Sequence, residues 1–95
     1  MFDIYVLIEG IQRGMTQKQD ILNTHYRGIT KEEAEDKVRY YRDFILKIND
    51  KSLLAEGHIY ISEANLSKKT EYFINQAGTV KRIVTEDGGQ ICLDI

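Results

Sequence analysis

The side chains best suited to chemistry stand in two Arg-Tyr clusters, His25-Tyr26-Arg27 and Arg39-Tyr40-Tyr41-Arg42, on either side of a run of acids. Tyrosine rings stack on bases and guanidinium groups hold phosphates. A nucleic-acid surface would use Tyr26 and Tyr40 for stacking, with Arg27, Arg39, Arg42, Lys68 and Lys69 on the backbone. The overall charge argues against that reading. The 95-residue chain carries 13 basic and 15 acidic residues, for a net charge of −2. Neither half is basic, whereas a general nucleic-acid binder presents a basic arm or stripe. On a helix turning about 100° per residue, Tyr41 points into the apolar stripe while Tyr40 sits at its margin, so the two rings diverge. Glu35, Arg39, Asp43 and Lys47 recur every fourth residue, which predicts a ladder of alternating sign at about 0.3–0.5 kcal/mol per link. The clusters are thus expected to be mainly architectural, with nucleic-acid binding as the alternative function.

Other chemistry has less to stand on. His25 and His58 are the only histidines and Cys92 the only cysteine. With Glu56 they meet no metal-ligand spacing, and one thiol makes neither an intramolecular disulfide nor a Cys-based zinc site. No metal and no cofactor is expected. Ser52, Ser62, Ser67 and Cys92 lie outside any nucleophile elbow and beside no histidine. Glu32-Glu33 reads as helix capping and Glu86-Asp87 as turn chemistry. "EGIQRG" and "DGG" precede no helix N-terminus that would cradle phosphate. The chain is expected not to be an enzyme; a small-ligand site, if present, would use the cleft between helix and sheet, with His25 or His58 titrating.

The elements that would position these residues follow from periodicity. In "FDIYVLIEGIQ", Phe2, Ile4, Val6 and Ile8 share one face, and Tyr5, Leu7 and Ile11 make the other apolar too, as in a central strand. Residues 17–27 read as a second strand, with a short helix capped by Thr16 as the rival. Thr30 and Glu33 predict a capping box at the start of a helix whose stripe is Ala34, Val38, Tyr41, Ile45 and Ile48, with a left-handed stop at Asn49-Asp50. Four strands at hairpin spacing follow, near 56–63, 70–75, 79–85 and 90–95, joined by turn sequences that include "NQAG" and "EDGG". Lys81 and Arg82 split across the sheet and read as charges guarding an edge strand. The expected fold is a single α+β domain over 1–95, order β-β-α-β-β-β-β, with one helix on a mostly antiparallel sheet.

One helix covers one sheet face, and Tyr5, Leu7, Ile11, Tyr60 and Tyr72 are expected to make the other face apolar and aromatic. A patch of that kind marks an interface, and tyrosine and arginine are favoured anchors. The expectation is a small non-enzymatic protein-binding module (inhibitor, adaptor or regulatory subunit), a homodimer, with Tyr5, Leu7, Tyr60 and Tyr72 at the interface and a host or viral protein as another possible partner. The longest apolar run, Ile4 to Ile8, is too short to span a bilayer, and "MFDIYVLIEG" lacks a secretory leader, so a cytoplasmic protein is expected. Thirteen isoleucines against four alanines, with no Trp or Pro, point to AT-rich coding such as a low-GC bacterium or one of its phages, plasmids or other mobile elements carries.

Overall fold

The computed structural model describes residues 1–49, 53–63, 69–86 and 89–94, with Glu86 and residues 89–94 as backbone only. The elements are β1 (Phe2–Gln12), β2 (Gln19–Ile29), α1 (Lys31–Ile48), β3 (Leu53–Glu63), β4 (Lys69–Ile74), β5 (Val80–Glu86) and β6 (Gly89–Asp94). This is the expected α+β order. All six strands join one antiparallel sheet, in spatial order β2-β1-β3-β4-β5-β6. The expected stop at Asp50, Lys68, the Asp87-Gly88 turn, Ile95 and the serines at 52 and 67 lie outside the described residues.

β1 sits inside the sheet, paired with β2 on one side and with β3 along its whole length on the other. Its Ile4, Val6 and Ile8 are fully buried beneath α1, as are Ala55 and Ile59 of β3 and Ile74 of β4. The stretch read as strand or helix is the strand β2, which forms one edge of the sheet. It carries an extra residue relative to β1 at two places, between Leu22 and Asp20 and again between Ile29 and Tyr26. Gly28 sits in the second bulge at φ 65°, where its N–H donates to Asp3 Oδ1. Bulges twist an edge away from stray partners, so β2 is the guarded edge. Lys81 and Arg82 are not on an edge, because β5 lies between β4 and β6. They do split across the sheet: Arg82 pairs with Tyr72 on the helix side, and Lys81 with Phe73 on the other.

α1 forms where its stripe requires. Ala34, Val38, Tyr41 and Ile45 are buried, and Phe44 and Ile48 pack at the margin. Thr30 caps the first turn through its side chain, which accepts from Glu33 N–H and donates to Glu33 Oε1. The far end departs from expectation: Asn49 is extended (φ −71°, ψ 119°), not left-handed. Its carboxamide instead serves the sheet, donating to Ala55 O and Gln76 O and accepting from Ala55 N–H. Two further polar contacts fix the helix. The Tyr41 and Tyr26 hydroxyls are 2.6 Å apart and share a hydrogen bond, tying α1 to β2, and Arg42 Nε donates to Gly78 O at 2.7 Å in the β4–β5 loop. Asn75 closes that loop by accepting from Ala77 and Thr79 N–H, with Gly78 at φ 81°.

α1 approaches β3 closely at Gly57. A Cβ there would lie 2.6 Å from Ile45 Cδ1, and Ile45 is itself fully buried. We therefore expect Gly57→Ala to destabilise the protein by about 1–3 kcal/mol through overpacking. Ile45→Val, which removes the opposing methyl, should cost about 0.5–1.5 kcal/mol alone. In the double variant the losses should fall short of their sum by at least about 0.5 kcal/mol. Urea unfolding of the four proteins measures this coupling, and additive losses would show that the contact does not set the helix position.

Candidate functional site

The register gives every strand residue a face. Ile4, Val6 and Ile8 point toward α1, and their β3 partners Ile61, Ile59 and Gly57 lie on the same side. The alternate residues point away from the helix and line up in two cross-strand rows. One row runs Asn23–Leu7–His58–Phe73–Lys81; the next runs His25–Tyr5–Tyr60–Glu71–Ile83. The side-chain period of two in each strand, carried through an unbroken ladder, builds this surface from five strands.

The rings on it are in contact. Tyr5 lies 4.6 Å from His25 and 6.0 Å from Tyr60, centroid to centroid. His58 stacks nearly parallel to Tyr60 (6.1 Å, 6°) and lies 5.1 Å from Phe73. Such pairs add about 0.5–1.5 kcal/mol each beyond the area they cover. Tyr5, Leu7, His58 and Phe73 are half-buried, while Tyr60 is 41% exposed. Beside Tyr60 a hollow of about 390 Å³ opens over Lys69, Glu71 and Ile83.

Charge on this face is mixed. Glu9 and Glu56 lie opposite each other on β1 and β3, and Lys69 and Lys81 come from β4 and β5. His58 sits between two carboxylates, with Nδ1 3.3 Å from Glu71 Oε1 and Nε2 3.9 Å from Glu9 Oε1. Glu56 also pairs with Lys18, which raises the lysine pKa, chiefly through that hydrogen bond. The Tyr60 hydroxyl is pushed above its ordinary pKa by burial, then by the negative charge of Glu71.

Of the residues expected at the interface, Tyr5, Leu7 and Tyr60 share this surface, but Tyr72 does not. It pairs with Ile59 and Arg82 on the helix side and packs against the core. Its neighbour Phe73 takes the expected place. The cause is register: a shift of one residue in β4 exchanges the two faces. His25, His58, Phe73, Glu9 and Glu71 complete the surface without having been read as interface residues. Both histidines lie on the face away from α1, so neither lines the cleft between helix and sheet. Among the described residues, no group of three or more His, Cys, Asp or Glu is placed to hold a metal ion.

The residues of the nucleic-acid alternative are dispersed. Tyr26 faces the helix, where it bonds Tyr41 and lies beneath Lys37 Nζ at 4.4 Å. Arg27 is at the β2 bulge, and Arg42 is tied to Gly78. Arg39 pairs with Asp36, one residue along from the Glu35 of the expected ladder. Tyr40 is 61% exposed and meets Tyr41 edge-on (5.0 Å, 89°), which leaves no flat platform. Lys69 lies on the opposite sheet face.

No protein-family model, curated protein or solved structure matches the chain. No helix among the described residues is long and apolar enough to cross a membrane.

The tyrosine environments predict a pH response. Burial raises the Tyr41 pKa well above the ordinary value, assisted by the hydrogen bond to Tyr26. A raised phenol pKa stabilises the fold fully below the unfolded value of about 10. Above it the unfolded chain ionises first, so stability falls as pH climbs toward the folded value. Unfolding free energy should therefore drop above about pH 10, with a shallower slope in Tyr41→Phe. Urea midpoints across that range measure it; an unchanged slope in the variant would exclude Tyr41 as the source.

Proposed function

We propose that the chain is a small non-enzymatic protein-binding module that acts through the sheet face opposite α1, and that its first partner is a second copy of itself. The observation that carries this reading is the connected surface of Tyr5, His25, Tyr60, His58 and Phe73 across four strands. Protein interfaces combine an aromatic centre with a charged rim. Here Leu7, Tyr60 and Phe73 supply the centre, with Glu9, Glu56, Glu71, Lys69 and Lys81 around them.

The layout of the aromatic rows favours a second copy. A two-fold axis along the strands, between β3 and β4, lays β1 and β3 of one copy over β5 and β4 of the other. Lys81 of one copy then lies one row from Glu9 of the other, and Tyr60 enters the partner's hollow near the axis. Such an interface is isologous, the form most common in homodimers. Sheet-on-sheet packing of this kind leaves about 10 Å between the sheets, which the interleaved rings fill.

Native mass spectrometry and sedimentation velocity test the proposal. The expected result is a dimer for the parent, a monomer for Tyr60→Asp, and a dimer for Tyr40→Glu, whose exposed ring lies on α1. Central aromatic anchors typically cost 2 kcal/mol or more when removed, so the dimer dissociation constant should rise by about thirtyfold or more for Tyr60→Asp. A parent that remains monomeric at high concentration, or a Tyr60→Asp variant that still dimerises, would reject this face as the self-interface.

A further inference from the structure

We propose that the cleft on the helix side of the sheet, between α1 and β4–β5, binds an organic monocarboxylate with an apolar body, and that Arg82 holds its carboxylate. This site lies on the opposite face from the dimer surface and does not rest on that reading. The cleft consists of two adjoining hollows of about 490 and 460 Å³ that share Glu35 and Tyr72. Each falls within the range of roughly 300–1,000 Å³ typical of small-molecule sites. Val38, Val80 and Tyr72 wall one, and Ala34, Ile61 and Val84 the other.

Arg82 is the residue that needs a partner. It points to the helix side from β5, and its Nε is shut off from solvent with no hydrogen bond to any described residue. A buried polar group in that state calls for a physical explanation. Glu35 and Glu63 line the same cleft, yet Arg82 pairs with neither. The two helix arginines at the cleft are already engaged, Arg39 by Asp36 and Arg42 by Gly78 O. Among the described residues, Arg82 is the guanidinium left to receive a ligand there.

The chemistry of the ligand follows from these walls. A planar guanidinium fork matches a carboxylate with two parallel N–H···O bonds, and a modest turn of the side chain brings Nε into that pair. Lys31 at the mouth adds positive charge, while Glu35 and Glu63 repel a dianion. A monocarboxylate is therefore favoured over phosphate. The aliphatic and aromatic walls take an apolar chain and give a polar acid little to bond.

Titration calorimetry with decanoate, its alcohol decanol and inorganic phosphate tests the site, with amide chemical shifts to locate binding. The parent should bind one decanoate per chain saturably, with shifts centred on Tyr72, Val80 and Val84. Arg82→Met, which keeps the bulk and removes the fork, should weaken decanoate by about tenfold or more and leave decanol unchanged. Arg82→Lys keeps charge without the fork and should fall between; it replaces Arg82→Met if that variant loses the parent circular dichroism. Tyr60→Asp should bind as the parent does. Absence of saturable decanoate binding, equal binding by the Arg82 variants, tighter binding of phosphate, or loss in Tyr60→Asp would each overturn the assignment.

Discussion

A six-stranded sheet served by one helix cannot be covered. Strands lie about 4.8 Å apart, so the outer two are roughly 24 Å from each other, while a helix with its side chains is about 10–12 Å across. α1 therefore shields the middle of one face and nothing of the other. Both surfaces proposed above are consequences of that mismatch. The aromatic rows occupy the face the helix never reaches, and the Arg82 cleft is the strip beside the helix on the face it partly covers.

The helix position is held by unlike contacts along its length. Ile45 drops into the space that Gly57 leaves on β3, which brings the helix axis close to the centre of the sheet. On one side, Tyr41 reaches Tyr26 on the edge strand; on the other, Arg42 and Asn49 reach the β4–β5 loop at Gly78 and Gln76. Each hydrogen bond contributes only about 1 kcal/mol net. Their directional value is larger, since apolar packing alone would tolerate some rotation of α1 about its contact with β3. With the helix pinned, the cleft over β4 and β5 has a defined width and Arg82 a defined setting.

The opposite face gains its character from pairing. Tyr5 and Tyr60 are 55 positions apart in sequence but direct neighbours in the β1–β3 ladder. His58 then meets Glu9 from one neighbouring strand and Glu71 from the other, on opposite ring nitrogens. Acids from β1, β3 and β4 and lysines from β4 and β5 share one surface because each strand contributes alternate residues to it. A surface assembled this way has local sequence signals too short to recognise separately.

Much of the architecture was legible from periodicity. The Thr30 cap, the stripe through Tyr41 and Ile45, the doubly apolar β1 and the turn at Asn75–Gly78 each rest on interactions within a few residues, and all are present. Tyr5, Leu7 and Tyr60 were legible as interface candidates because β1 and β3 are long enough for alternation to show their two faces. What only the tertiary structure decided depends on contacts between distant segments. Whether Tyr72 or Phe73 joins the aromatic face depends on the parity of the β3–β4 connection. Whether Arg82 guards an edge or lines a cleft depends on β6 adding beyond β5. Whether Asn49 ends the helix left-handed depends on Ala55 and Gln76 being there to bond. Local energies of a fraction of a kcal/mol choose helix, strand and turn; register, neighbour order and the uncovered strip are chosen by the burial of the whole sheet, which no short window contains.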